Sequence, residues 1–282
     1  MNTIFTIARL TFREAIRRRI VVAALIMGAA FLVVYGLGFH FIRLEIIREE
    51  MAEGNIGTAV VEQVSGFLVL AGLYVINFLS IATAALISAD SLAGEIQSGT
   101  IQAIVTKPIR RFEVVLGKML GHAGLLLVYL SYLSGGMLLI VFAISKWVPT
   151  NWLAGTAMIY FNGLIILSIT LAMSSMLSTL ATGGAVFGAY GLAFIGGWVE
   201  RIGSILSNQT AVEIGIVTSL LVPSEAVWNK AASLMSPTVF SRIGMTPFSS
   251  GSEPSTLMMV YAALYLLAML ALAVSQFGRR DL

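Results

Sequence analysis

The chain has 282 residues, 58% of them hydrophobic and 11% charged, with a formal net charge of +3. Soluble domains carry charge on about a quarter of their residues, so this composition and a mean hydropathy of +0.92 exclude an ordinary water-soluble fold and make the bilayer the expected solvent. The absence of Cys removes disulfides, thiolate metal sites and a Cys nucleophile, and the slight excess of 17 Lys and Arg over 14 Asp and Glu argues against nucleic acid as a partner.

Residues 2–19, NTIFTIARLTFREAIRRR, place Ile4, Phe5, Ala8, Phe12, Ala15 and Ile16 at helical spacing, with Arg9, Arg13 and Arg17 recurring every four residues on another face. Glu14 precedes Arg18 by four, a favourable helical pair. The pattern predicts a basic amphipathic helix in the cytoplasmic interface, its arginines among lipid phosphates. The simpler reading is a topology anchor, and the two are compatible.

Charge-poor runs follow at 20–42, 65–89, 119–145, 152–180, 183–199 and 255–277. At about 1.5 Å per residue, about 20 residues cross a hydrocarbon core of about 30 Å. The expected fold is therefore an all-α polytopic membrane protein with six transmembrane helices. The first run is longer than the apolar region of a signal peptide, about 7–15 residues, and is expected to be retained. Ser178–Gly184, STLATGG, predicts a tight turn between the fourth and fifth spans.

Between the spans, 43–64 is acidic and is expected to begin as a helical continuation of the first. Residues 90–118 join the second and third spans. Residues 200–254 hold Ile214–Val222, too short to span, followed by Pro223 and Trp228, which predicts an interfacial or re-entrant helix. The Pro- and Gly-broken remainder reads as loop. With both termini cytoplasmic, eleven of the 17 Lys and Arg fall inside: Arg9, Arg13, Arg17, Arg18, Arg19, Lys107, Arg110, Arg111, Lys118, Arg279 and Arg280. That asymmetry sets the expected orientation.

Several chemistries are missing. In place of a Walker A loop there is only Gly117-Lys118, with Phe112 at the first-Gly position and Met119 after the Lys, so no ATP site is built. HExxH and GxSxG are absent, and His40 and His122 lie too far apart in sequence to suggest a metal cluster. The assigned spans contain no Asp, Glu, Lys or Arg, whereas ion-coupled transporters carry such groups within the bilayer. Energy for uphill transport is thus expected to come from outside the membrane.

Gly94–Lys118, GEIQSGTIQAIVTKPIRRFEVVLGK, stands out against this background. Ile96, Ile101, Ile104 and Val105 form a small apolar ridge before Pro108, of a kind that a partner groove accepts or that rests on the membrane surface. Spacing alone does not choose. The order Glu95, Gly99-Thr100, Thr106-Lys107-Pro108, Arg111 and Gly117-Lys118 resembles the cytoplasmic loop of ABC type-2 permeases, including those found beside copper-enzyme maturation factors. The basic amino-terminal helix, six spans and outside segment extend the likeness over most of the chain.

The resemblance implies a coupling helix between spans two and three, seated on a separate ABC ATPase subunit that binds ATP and Mg. Glu95, Gly99, Thr100, Ile101, Ile104, Thr106, Lys107, Pro108 and Arg111 are the implied coupling residues. It further implies a second copy or a sibling permease across the pathway, an exporter in a prokaryotic inner membrane, and no cofactor in this chain. Ser168, Ser175, Ser178 and Thr179 offer hydroxyls that could line a pathway, although such groups in membrane helices more commonly pack or bond the preceding turn. Two alternatives differ in class. One is an ATPase-linked scaffold passing mechanical work to an extracytoplasmic partner through 200–254. The other is a lipid-directed enzyme using Glu200 or His122, for which no nucleophile–base pair is present.

Overall fold

The computed structural model describes residues 3–52, 58–97, 110–149, 151–236 and 254–279. Among these the ordered elements are α1 (Thr3–Ile16), α2 (Arg19–Ala52), α3 (Thr58–Gln97), α4 (Arg111–Ser145), α5 (Trp152–Ser174), α6 (Thr179–Ile205), α7 (Gln209–Leu221), α8 (Ser224–Met235) and α9 (Thr256–Arg279). Among the described residues, six stretches are long and apolar enough to cross a bilayer: Arg19–Glu49, Gln63–Gln97, Arg111–Ser145, Trp152–Ser174, Thr179–Ile205 and Thr256–Arg279. The all-helical, six-span expectation holds.

The helices outrun the charge-poor runs. At 35 residues, α4 is about 50 Å long, well beyond a hydrocarbon core of about 30 Å. Charge does not stop a helix whose backbone is satisfied. The α4 start is closed by Glu113, whose carboxylate accepts from the Arg110 N–H at 3.0 Å. Lys146, at φ 57°, ends it. The turn between α5 and α6 lies before the STLATGG glycines rather than at them. Ser178 caps α6 by accepting from Ala181 N–H, and Gly183 and Gly184 sit inside that helix.

Central α5 packs against α3, α4, α6, α8 and α9, whereas α2 and α9 are the least covered spans. Ile165, Ile166 and Leu167 of α5 join Ile81, Val115, Leu126 and Phe277 in one apolar core. A second gathers Phe39, Leu73, Ile76, Leu133, Met137 and Trp228. Between α3 and α5, Asn162 donates to Asn77 at 3.0 Å, both side chains buried. Hydrogen bonds between membrane helices contribute about 0.6–2 kcal/mol. Asn162→Leu is therefore expected to lower the thermal midpoint in detergent, and Asn77→Leu/Asn162→Leu to lower it less than two independent losses, since neither partner is then stranded.

Two glycine-lined seats shape the bundle. Along α4, Gly117 faces Ile4 and Ile7, Gly121 faces Ala8 and Thr11, and Gly124 faces Phe12. The amphipathic α1 thus runs beside the first turns of α4 in the same direction, its Phe5 and Leu10 left exposed. At the other end of the bundle, α7 folds back along α6, with Ala211 on Gly203, Glu200 on Gly215 and Thr218 on Gly196. A bend of 102° then separates α7 from α8, at Val222-Pro223, and α8 is almost wholly buried. The length and composition of this bent pair fit a broken span or a re-entrant loop.

Candidate functional site: the end of α3 that leads to 98–109

The family resemblance implies that residues 95–111 meet a partner. Gly99, Thr100, Ile101, Ile104, Thr106, Lys107 and Pro108 lie outside the described residues. Glu95, in the last turn of α3, and Arg111, the first residue of α4, are described, and both are engaged within the chain. Lys118 Nζ donates to Glu95 Oε1 at 2.6 Å and to the Ser91 carbonyl at 2.7 Å. Arg111 donates to the carbonyls of Phe277, at 3.3 Å, and Gly278, at 2.8 Å, tying the last turn of α9 to the start of α4. A cation at a helix carboxy terminus also complements the macrodipole.

The end of α3 is the centre of a polar knot. Asp90 Oδ2 accepts from Arg18 at 3.1 Å, and its Oδ1 accepts from the Thr179 hydroxyl at 2.9 Å. Arg18 lies at the α1–α2 junction and also reaches Glu14 at 2.6 Å. Partial burial disfavours its charged form, but Glu14 and Asp90 outweigh that and hold the guanidinium pKa above its ordinary value. From α4, His122 Nε2 lies 3.0 Å from Ser91 Oγ. From α5, the Ser174 hydroxyl donates to the Ala89 carbonyl at 2.9 Å and accepts from Ala93 N–H at 2.9 Å and Leu92 N–H at 3.2 Å. A hydroxyl placed against the helix ladder in this way fixes the local course of α3.

Lys118 is only 4% exposed. A buried ammonium is costly unless paired and hydrogen-bonded, and the Glu95 carboxylate with the Ser91 carbonyl supplies both. The spans assigned from composition carry no such charge, because Lys118 falls one residue before the third run. The continuous helix carries it into the protein interior.

The four hydroxyl candidates divide. Ser168 donates to Ile165 O at 2.7 Å and Ser175 to Ala172 O at 2.7 Å, both buried, so each bonds its own preceding turn. Ser178 caps α6, and Thr179 holds Asp90. No local sequence pattern groups Asp90, Ser91, Ser174 and Arg18. One signal was available: Asp90 is one of two Asp in the chain, and Ser91/Glu95 and Lys118/His122 are each spaced i, i+4, which puts each pair on one helical face.

A second buried polar group sits beside the α7–α8 hairpin. Arg201 of α6 donates to Glu225 and, at 3.3 Å, to Asn229 of α8. Its guanidinium also lies 5.6 Å from the Trp198 ring centroid. Tyr74 of α3 meets Trp228 edge-on at 5.1 Å. Among the described residues, no cluster of three or more His, Cys, Asp or Glu is arranged to hold a metal ion.

The spans make the chain a multi-pass membrane protein, and the loop ordering points to a permease. No curated protein matches the chain. Its residues 5–282 match the family model described as ABC-2 family transporter protein, and the chain belongs to that family of ABC transporter membrane subunits.

Proposed function

We propose that this chain is the permease subunit of an ATP-driven exporter and takes its energy from a separate ABC ATPase. The family is that of a membrane subunit without its own ATP site. ATP and Mg belong to the partner in this reading. Support comes from the convergence of the α1–α2 junction, α4, α5 and α6 on the last turns of α3, directly before the segment whose motif order resembles a coupling loop. The segment around Glu95–Thr106 would seat on the ATPase, with Ile96, Ile101, Ile104 and Val105 as the apolar ridge. Both termini are cytoplasmic in this reading, and α1 lies at the inner-membrane interface.

The pathway would form between two such subunits, as a homodimer or with a sibling. Gly184, Gly188 and Gly191 on α6 have nothing within 4 Å of an added Cβ, beside the exposed Leu180 and Ile195. Small residues let membrane helices approach closely, so this face suits the second subunit.

The test is Ile101→Asp with Ile104→Asp. Membrane insertion is expected to be unchanged, while permease-dependent ATPase activity falls at least ten-fold in the co-expressed complex. Wild-type assembly and wild-type stimulation in that variant would remove the coupling assignment.

A further inference from the structure

We propose that Asp90 is a positioning residue that delivers displacement of the end of α3 to the α1–α2 junction and the start of α6 together; this rests on the ATPase-coupled reading above. Asp90 lies two helical turns before Gln97, the last residue of α3. Its two carboxylate oxygens are divided between two other elements: Arg18, at the α1–α2 junction, on Oδ2 and Thr179, the first residue of α6, on Oδ1. The adjacent Ser91 carbonyl and, just over one turn further on, the Glu95 carboxylate hold Lys118 of α4. Any rotation or pull on the end of α3 therefore reaches the α1–α2 junction and α6 through one carboxylate and α4 through Ser91 and Glu95.

A staple kept only for stability would have different properties. The Asp90 side chain is 42% exposed and that of Arg18 25%, and an ion pair so open to solvent contributes little to folding. Its geometry is nevertheless protected. A Cβ added at Gly94 would stand 2.7 Å from Asp90 Cγ, so the glycine leaves the space that the carboxylate needs, one turn along the same face. A weak pair with a reserved space, bridging three elements ahead of a coupling segment, suits transmission of position.

Three variants separate transmission from stability. Asp90→Asn removes the charge that Arg18 meets, Thr179→Val removes the hydroxyl on Oδ1, and Gly94→Ala displaces the carboxylate without changing any charge. Each is made in the complete permease–ATPase complex in liposomes, and ATP hydrolysis is followed against ATP concentration. Asp90→Asn and Gly94→Ala are expected to keep complex yield, thermal midpoint and KM for ATP while lowering permease-stimulated kcat at least five-fold, with Thr179→Val between them and wild type. A purely structural role would move yield and midpoint instead.

Wild-type stimulation in Asp90→Asn and Gly94→Ala would overturn the positioning role while leaving the permease reading intact. Absence of any permease-dependent hydrolysis in the wild-type complex would overturn both. If Asp90→Asn does not assemble, Thr179→Val decides: full stimulation there counts against the role, and a reduced kcat at unchanged KM supports it.

Discussion

Arg201→Met is expected to cost about 3–5 kcal/mol of stability, because it strands the Glu225 carboxylate inside the protein. The two side chains are 7% and 4% exposed, and Glu225 sits in α8 next to the α7–α8 bend. Losing the guanidinium leaves the buried Glu225 carboxylate without its cation. Replacing both members, Arg201→Met with Glu225→Leu, is expected to recover most of the loss, since an apolar pair of similar volume does not pay the desolvation of two charges. Thermal unfolding of the detergent-purified protein reads both variants. A single substitution costing less than about 1 kcal/mol, the range of an exposed pair, would mean that the pair is hydrated and the hairpin held by its apolar contacts alone.

Gly121→Val is the second large effect expected. A Cβ there would stand 2.7 Å from the Ala8 carbonyl oxygen and 2.7 Å from Thr11 Cβ, both belonging to α1. Backbone cannot give way as a flexible side chain can, so α1 must lift from its seat, at the typical overpacking cost of about 1–3 kcal/mol. Unseating exposes backbone around Arg9 and Arg13, so trypsin added to inside-out vesicles should cut there many times faster than in wild type. Gly124→Ala is the control. Its nearest neighbour, Phe12 Cδ2, is 3.5 Å away, an ordinary contact, and its cleavage should match wild type. Equal protection of Gly121→Val would show that α1 is held elsewhere.

The spans were legible because their signal is local: a run of about 20 apolar residues has few other uses. The same holds for the amphipathic α1 and for the short helix ahead of Pro223. What that α1 rests on was not legible. Gly117 and Gly121 form a GxxxG pattern that only states that something comes close, and the occupant, Ile4–Phe12, lies more than a hundred residues earlier. The helices run past the charges that bound the apolar runs. Lys118 stays helical and buried once Glu95 is opposite it, and Arg201 does so once Glu225 is. The partners are 23 and 24 residues apart on different helices, so no periodicity within one helix brings them together. The Asp90 knot depends on α1, α2 and α6 arriving at one place, which is a property of the packed bundle.

The most direct measurement is gentle detergent extraction of the tagged chain from its native host, followed by mass spectrometry of what co-purifies. A stoichiometric ATPase carrying a Walker motif, crosslinkable to the 95–106 segment, is expected. Recovery of the chain alone, with no ATPase even after crosslinking through that segment, would contradict the ATPase-coupled reading.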